Sequence, residues 1–337
     1  MSLDRFARAS LAHLPTPLEP MANLSRLLGG PNLWVKRDDC TGLAMGGNKA
    51  RQLEFYFGDA LAQGADTVII TGAVQSNFVR QTAAACAKLG LACEIQLEHR
   101  VSNDTREYAA SGNVLLDRLL GARIHYLPEG EDEQAADAAL EAIADRVRSE
   151  GGRPYVIHLA PGHPPLGALG YVVAMEELLS QMAGRDLEFD AVVLPTGSAA
   201  THAGTLVGLR IQESSVRVIG ACVRRERSLQ VPRVLRQALA TAELAGDPGI
   251  VAEDDVVVFD DWLGPGYGQA TPEMKEAVTL AARQEGLLLD PVYTGKSMAA
   301  LIGLARRGYF GGNANVLYLH TGGTPALFGY SSMLEDI

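Results

Sequence analysis

Cysteine is scarce in this sequence, and its few cysteines are not spaced for a metal site. The 337 residues contain only Cys40, Cys86, Cys93 and Cys222. They form no CxxC pair, and none has a histidine at a spacing that suits zinc. Four cysteines in a chain of this length do not make a disulfide scaffold. We therefore predict no metal and a reducing, cytoplasmic location.

Long apolar runs and an excess of basic residues are also missing. No stretch approaches the roughly 18 apolar residues that a membrane helix needs, and the first residues hold too short an apolar run for a signal peptide. Asp and Glu outnumber Lys and Arg by 40 to 29, which gives a net charge of -11. Because a phosphate backbone calls for a basic surface, we expect neither a nucleic-acid partner nor a membrane partner.

The composition that is present is that of a folded globular protein. Apolar residues make up 47% of the chain and charged residues 20%, which excludes a disordered or collagen-like chain. At about 150 residues per domain, the length indicates two domains or one body with two lobes.

Short β-branched runs alternate with longer helical patterns from about residue 67 onward. Eight runs predict strands, at 66–71, 92–98, 122–128, 154–160, 189–195, 216–223, 255–260 and 315–321. Residues 76–90 predict a helix that stops at Gly90. Repeated βα units indicate an α/β fold with a parallel, doubly wound sheet, and such sheets bind ligands beyond the carboxyl ends of their strands.

One lysine stands at the head of a helical run, directly after three small or turn-forming residues. Gly46, Gly47 and Asn48 let the backbone approach a ligand closely, and they place Lys49 near a helix start, where the dipole disfavours its protonated form. An amine in that position suits imine chemistry. The same segment also fits a glycine-rich turn with a solvated lysine.

Two other segments run from a strand through a turn into a helix. Ser76 and Asn77 are placed to cap a helix whose free amides bind a carboxylate, although ordinary capping explains them too. The second segment suits a phosphate, since its small and hydroxyl-bearing residues can wrap one with backbone amides. It comprises Thr196, Gly197, Ser198, Ala199, Ala200 and Thr201 and lacks the GK[ST] of a nucleotide-binding loop.

Hydroxyl-bearing residues gather at turns near the C-terminal end. Tyr293 and Thr294 lie in one turn and Thr321 in another, while Tyr267 lies in a glycine-rich loop that has no turn-based need for an aromatic residue. A phosphate cradle, a positioned lysine, a carboxylate-binding helix start and several hydroxyls together describe a pocket for pyridoxal 5'-phosphate.

A set of motifs in this order resembles a known enzyme family. From about Leu14 to Tyr330, the chain resembles the pyridoxal-phosphate enzymes grouped as 1-aminocyclopropane-1-carboxylate deaminase, D-cysteine desulfhydrase and L-cysteate sulfo-lyase. The motifs that carry the resemblance are KRDDCTG, GGNKARQLE, GAVQSN, a TGS loop, GPGYG, DPVYTGK and HTGGTPALFGY. The resemblance implies a tryptophan-synthase β-like fold (fold type II), with two open parallel-sheet lobes and the cofactor between them. It implies a small lobe at 50–160, a large lobe made of 1–49 and 161–337, and a homodimer.

The resemblance also assigns cofactor-binding residues. It makes Lys49 the lysine that holds the cofactor covalently and Asn77 the partner of the cofactor's ring hydroxyl. The 197–201 loop holds the phosphate. Thr321, or else Thr294, faces the pyridine nitrogen.

For the substrate, the resemblance places Ser76 against the carboxylate, with a part in proton transfer, beside Asn77. Tyr293 and Tyr267 match active-site tyrosines with catalytic roles, and Tyr267 also contacts the substrate. Phe78 follows the Ser-Asn pair at the substrate site, where sulfur-lyases usually show histidine and the deaminases glutamine. An apolar ring cannot donate a hydrogen bond to a carboxylate or sulfonate, so the specific substrate stays open.

Thr294 stands where the ring-opening deaminases carry a glutamate, which makes ring opening the less favoured activity. The sequence therefore predicts β-elimination on a small amino acid, in which the Lys49 amine removes the α-proton and sulfide or sulfite leaves, giving pyruvate and ammonia. D-Cysteine and L-cysteate are the two substrates it favours. The alternatives are 1-aminocyclopropane-1-carboxylate deamination, a non-catalytic binding protein, and a phosphosugar or nucleotide binder that uses only the 196–204 loop.

Overall fold

The computed structural model describes residues 3–103, 105–160 and 162–335. In these ranges ten strands form two sheets: β1 (Leu18–Pro20), β2 (Asn32–Arg37), β3 (Thr67–Ala73), β4 (Ala92–Glu98), β5 (Arg123–Leu127), β6 (Pro154–Ile157), β7 (Ala191–Thr196), β8 (Arg217–Cys222), β9 (Val257–Phe259) and β10 (Asn315–His320). All eight predicted strands are confirmed. The sequence pattern missed β1 and β2.

The α-helices of the same ranges are α1 (Ala22–Leu28), α2 (Lys49–Ala62), α3 (Asn77–Leu89), α4 (Arg106–Ala110), α5 (Gly112–Leu119), α6 (Glu133–Ser149), α7 (Leu166–Ala183), α8 (Ala200–Ile211), α9 (Arg227–Ala245), α10 (Pro272–Glu285), α11 (Thr294–Arg306) and α12 (Ala326–Gly329). The helix predicted at 76–90 is confirmed as α3. Ser76 caps its start by accepting a hydrogen bond from the Val79 N–H, and Gly90 ends it with a left-handed φ of 72°. None of the helices in the described ranges combines the length and the apolar character that crossing a bilayer requires.

The larger sheet has the order β1-β2-β10-β7-β8-β9, and the smaller has the order β5-β4-β3-β6. Every neighbouring pair is parallel except β1 and β2, which are antiparallel. The chain therefore starts in the larger sheet, builds the smaller one with β3 to β6, and returns. The predicted α/β architecture with two parallel sheets is confirmed. The lobe boundaries at 49/50 and 160/161 stay a prediction.

Apolar side chains fill both faces of the larger sheet. One cluster joins the sheet to α7, α8 and α9 through residues such as Leu178, Leu206 and Val234. Another joins its opposite face to α10 and α11 through Ala281 and Leu301. The smaller sheet packs on α3 and α6 in the same way. Because both faces of the sheets are covered, a ligand is expected beyond the strand ends, as in other doubly wound sheets.

A buried ion network fixes the chain on either side of Lys49. The guanidinium of Arg51 contacts Asp38 Oδ1 at 2.9 Å and Glu177 Oε1 at 2.9 Å. Lys36 Nζ lies 2.5 Å from the same Glu177 oxygen, and the Tyr171 hydroxyl donates to Asp38 Oδ2 at 2.6 Å. Burial alone would raise the pKa of Asp38, but Arg51 holds it below its ordinary value. The network therefore ties β2, the loop after it, α2 and α7 together.

Candidate active site

A cleft opens at the carboxyl ends of the strands, with walls from both sheets. Its empty space, counted to the solvent at its mouth, is about 910 Å³. Most of the predicted site residues line it: Lys49, Ser76, Asn77, Phe78, Gly197, Ser198, Ala199, Thr201, Tyr267, Tyr293 and Thr321. The structure does not bring Thr196, Ala200 or Thr294 to this wall.

Lys49 is the first residue of α2, and its amine enters the cleft. The turn before it needs glycine: Gly46 has a φ of +68°, and a Cβ there would lie 1.9 Å from the Asp39 carbonyl oxygen. Lys49 Nζ donates to Gln52 Oε1 at 3.3 Å. Desolvation lowers the pKa of Lys49 to about 8. About a tenth of the amine is therefore unprotonated at pH 7, far more than for an ordinary lysine, and imine formation requires the unprotonated form.

The loop after β7 forms the floor of the cleft. Ala199 has a left-handed φ of 78°, which turns the chain sharply into α8. The first N–H groups of a helix have no partners within it, so this helix start offers donors to an anion. Thr201 Oγ1 accepts from Asn48 Nδ2 and Gln52 Nε2, each at 2.8 Å, and this links the loop to the Lys49 turn.

Thr196 lies behind this loop rather than in it. The side chain is buried, and its Oγ1 accepts from Gln230 Nε2 at 2.9 Å. The hydroxyl therefore supports the loop from below, and the assignment of Thr196 to cofactor binding stays a prediction. Ala200 begins α8 and likewise does not face the cleft.

Asn77 begins α3, and two neighbours orient its amide. Its Oδ1 accepts from Asn113 Nδ2 at 3.2 Å and from Arg80 Nη2 at 3.4 Å. With the oxygen held on the protein side, the amide nitrogen is the group available as a donor to a ligand in the cleft. Arg80 also donates to the Gly46 carbonyl at 3.0 Å, so it joins the start of α3 to the turn before Lys49.

Two tyrosines form a hydroxyl pair in the opposite wall. Tyr267 Oη and Tyr293 Oη lie 2.7 Å apart, and the rings pack edge to face. Burial raises the pKa of both hydroxyls above the ordinary tyrosine value, so both stay protonated at neutral pH. The pair can therefore donate a proton or a hydrogen bond to a group in the cleft.

Thr294 is not among the residues that line the cleft, and its assignment as one candidate partner of the pyridine nitrogen stays a prediction. Its hydroxyl donates to Asp290 Oδ2 at 2.7 Å and is fully buried. Asp290 Oδ1 also accepts from the Tyr293 backbone N–H at 2.7 Å. Thr294 therefore helps to fix the Tyr293 turn. Thr321, the other candidate, lies in the cleft wall.

Several cleft residues were not predicted from the sequence, and a group of them is charged. Arg100, Arg224 and Arg233 line the cleft together with Glu133. Arg233 Nη1 lies 2.9 Å from Glu133 Oε2, and Arg224 Nη1 lies 3.4 Å from Glu133 Oε1. Glu133 starts α6 beside the smaller sheet, whereas Arg224 and Arg233 belong to the larger. The ion pairs therefore cross the cleft, and no local motif indicates partners so distant in sequence.

The residues of the cleft fit pyridoxal phosphate. An amine of lowered pKa, an anion-binding helix start and an amide donor lie around one space. Glycines let the segments around the cleft pack closely on each other: a Cβ on Gly47 would lie 2.6 Å from Gln81 Nε2, and one on Gly322 would lie 2.6 Å from Gly47 Cα. Lys49 would hold the aldehyde carbon, the 197–201 loop the phosphate and Asn77 the ring hydroxyl.

Comparisons with known proteins agree with this fit. The family model described as pyridoxal-phosphate dependent enzyme matches residues 9–322. A D-cysteine desulfhydrase of Salmonella choleraesuis (strain SC-B67) is 45% identical over 328 residues, which are 97% of this chain and 97% of that protein. A D-cysteine desulfhydrase of Salmonella typhi is similar to the same extent.

Two solved structures are similar in fold. A structure described as an ACC deaminase homologue has a TM-score of 0.88 at 36% identity, over 98% of this chain and 96% of that one. An O-ureido-L-serine synthase has a TM-score of 0.67 at 16% identity, over 96% of this chain and 93% of that one, and shows likeness of fold alone.

Proposed function

The chain belongs to the pyridoxal-phosphate dependent enzyme family, and we propose that it is a carbon–sulfur lyase that releases sulfide, pyruvate and ammonia from D-cysteine. The observation that carries the proposal is the Lys49 amine, poised in the same cleft as the Tyr267–Tyr293 hydroxyl pair. The substrate rests on the relatives named D-cysteine desulfhydrase, 45% identical over nearly the whole chain.

The start of α3 binds the substrate carboxylate. Ser76 and Asn77 stand at this helix start, where backbone N–H groups and the positive end of the helix dipole attract an anion. Asn113 and Arg80 hold the Asn77 oxygen away from the ligand, so the side chain presents a donor to it. This end of the cleft fixes the amino acid by its carboxylate, whatever its β-substituent.

Lys49 moves the α-proton. Its amine is the base of lowered pKa in the cleft, so it can take a proton from Cα at neutral pH. The bound cofactor supplies an electron sink for the negative charge at Cα. The Cβ–S bond then breaks with its electron pair on sulfur, and water hydrolyses the remaining unsaturated amino acid to pyruvate and ammonia. Tyr267 and Tyr293, protonated because burial raises their pKa values, donate a proton or hydrogen bond to that sulfur.

L-Cysteate is a second candidate substrate, and one observation favours it. Arg100, Arg224 and Arg233 place three guanidinium groups in the cleft wall, and guanidinium groups suit a sulfonate. Glu98 and Glu133, which form ion pairs with these arginines, already neutralise part of the positive charge. D-Cysteine therefore stays the first choice.

A substrate panel tests the proposal. Purified enzyme loaded with pyridoxal phosphate is given both enantiomers of cysteine and of cysteate, and pyruvate release is followed. 1-Aminocyclopropane-1-carboxylate is scored separately for 2-oxobutyrate. We expect D-cysteine to give the highest kcat/KM, with sulfide and pyruvate in equal amounts. Turnover of the cyclopropane substrate alone, or no turnover of any substrate, would overturn the proposal.

We also propose that the chain acts as a homodimer in the cytoplasm. The family resemblance supports the dimer, and the scarcity of cysteine supports a reducing compartment. Light scattering on the purified protein tests the assembly, and fractionation of the source cells tests the location.

A further inference from the structure

A cluster of two histidines and two carboxylates lies apart from the residues that line the cleft. Asp137 and Glu141 stand one helical turn apart on α6. His158 directly follows β6, and His163 lies shortly before α7. The two imidazole rings are stacked, with centroids 3.7 Å apart and planes within 2°. None of these residues has a role in the proposed reaction.

The atoms of this cluster are spaced like ligands around one ion. His158 Nδ1 lies 3.3 Å from Asp137 Oδ1, and His163 Nε2 lies 3.1 Å from Asp137 Oδ2. One nitrogen or oxygen from each of the three residues lies within 4.8 Å of the others. Tetrahedral zinc with bonds of about 2.0–2.1 Å separates its ligand atoms by about 3.3 Å. The two contacts with Asp137 have about that length, one from each carboxylate oxygen, and the stacked histidine rings turn apart for both nitrogens to face one ion.

The hydrogen-bonding roles of His158 also favour a cation. Its Nε2 lies 3.3 Å from Glu141 Oε1, so His158 can donate to this carboxylate in the tautomer with the proton on Nε2. Nδ1 then carries a lone pair, and it faces Asp137 Oδ1. This Nδ1 is buried and has no hydrogen-bond partner among the described residues. Two acceptors facing each other are stabilised by a cation between them.

The charges around the cluster also favour a bound cation. Asp137 and Glu141 bring two negative charges, and the imidazoles are neutral when unprotonated. Glu141 Oε2 lies 3.7 Å from Arg148 Nη2, a half-exposed pair that offsets little of this charge. His163 is 40% exposed, so its ring has room to turn toward an ion.

We propose that Asp137, His158 and His163 bind a divalent transition-metal ion, with zinc the best match. Imidazole nitrogen and carboxylate oxygen are ordinary zinc ligands, and water would fill the fourth position. Glu141 acts from outside the ligand set by orienting His158, as carboxylates commonly do for metal-binding histidines. Cysteine spacing could not indicate this site, because the site contains no cysteine. Its aspartate lies on α6, whereas its two histidines lie in the segment after β6.

The ion would fasten α6 to the chain that follows β6. Both elements reach the cleft, since Glu133 begins α6 one turn before Asp137, and Leu159 follows His158. Arg233 Nη2 also donates to the Leu159 carbonyl at 3.2 Å. Metal binding is therefore expected to raise the melting temperature of the protein, whatever substrate it uses.

Titration with zinc tests the proposal, and its readout does not depend on activity. Cofactor-loaded protein, treated with a chelator and desalted, is titrated by calorimetry and by competition with a chromophoric chelator. The background is Cys40→Ser, since the exposed Cys40 thiol is itself a zinc ligand. We expect one zinc per chain and a higher melting temperature. His163→Ala and Asp137→Asn should abolish both effects, while Glu141→Gln should weaken affinity roughly 10- to 100-fold.

His125→Ala is the matched control. His125 Nε2 lies 2.6 Å from Glu94 Oε2, so it is a histidine–carboxylate pair at another place on the smaller sheet. Zinc affinity in this variant should equal that of the background protein. His163 is exposed enough that its replacement should not unfold the chain, and the cofactor absorbance band reports this. Absence of stoichiometric zinc binding, or binding unchanged by His163→Ala and Asp137→Asn, would overturn the proposal.

Discussion

The amine of Lys49 lies 4.6 Å from the centre of the Phe78 ring. Phe78 is therefore part of the cleft wall, although it is buried and also packs on Tyr56, with ring centroids 6.3 Å apart. An apolar ring at this distance helps to keep water from the amine, whose pKa desolvation lowers to about 8. It also occupies the position directly after the Ser76–Asn77 pair. One side chain thus contacts both the proposed base and the substrate end of the cleft.

Phe78→His should change substrate choice without loss of the cofactor. The imidazole would add a donor near the substrate, and such a contact to a charged group is worth about 1 to 3 kcal/mol. We expect kcat/KM for anionic or thiol substrates to rise roughly 10- to 100-fold relative to chloroalanine. The cofactor absorbance band should not move. Equal losses on every substrate would show that Phe78 serves packing alone.

Lys49→Ala should abolish turnover and leave the fold intact. The residue is proposed both to bind the cofactor and to move the α-proton, so its loss should exceed the roughly 10²- to 10³-fold cost of removing one hydrogen-bond donor. Borohydride reduction and peptide mapping should locate the cofactor on residue 49 in the parent protein. Lys88→Ala, at an exposed position near the end of α3, is the control and should be fully active. Near-normal turnover in Lys49→Ala contradicts the assignment.

Cofactor rebinding should depend on pH through the Lys49 amine. Only the unprotonated amine attacks an aldehyde, and its pKa is lowered to about 8. The rate at which cofactor-free protein regains its absorbance band should therefore rise roughly tenfold per pH unit below pH 8 and level off above it. A rate that keeps rising to pH 10 would mean that the amine has an ordinary lysine pKa.

Tyr267→Phe and Tyr293→Phe should act as one unit. The two hydroxyls lie 2.7 Å apart, so removing either disturbs the donor that the other presents. We expect each single variant to lower kcat by roughly 10²-fold or more, and the double variant to lose little beyond that. KM should change less than kcat. Independent, multiplying losses in a double-mutant cycle would show that the tyrosines serve separate steps.

Arg51→Ala should destabilise the protein strongly. Arg51 is fully buried between Asp38 and Glu177. Because removing one partner of a buried ion pair leaves the other charge unpaired, we expect the free energy of unfolding to fall by about 4 kcal/mol. Urea denaturation measures it. Arg148→Ala breaks an exposed pair with Asp145 instead and should cost about 1 kcal/mol or less. Similar midpoints for the two variants would show that the buried network contributes little.

Local sequence patterns predicted the regular elements well, and they failed where charge interrupts a strand. β2 ends in the charged residues Lys36 and Arg37. Because a buried strand is predicted from a run of apolar residues, these two charges hid β2. Lys36 is nevertheless buried, because its amine reaches the Thr16 carbonyl at 2.7 Å and Glu177 on α7. Such partners cannot be foreseen from a window of ten residues.

The sequence by itself determined the α/β fold, the eight βα strands, the α3 cap and the glycine turn that presents Lys49. Each depends on residues close together in the chain, through side-chain periodicity, capping and backbone freedom. Only the tertiary structure decided that Thr294 holds Asp290, that Phe78 faces Lys49, and that Glu133 meets Arg233 across the cleft. Those relationships depend on how two sheets, built from interleaved parts of the chain, place their strand ends opposite each other. No short-range sequence pattern encodes which strand ends lie opposite each other.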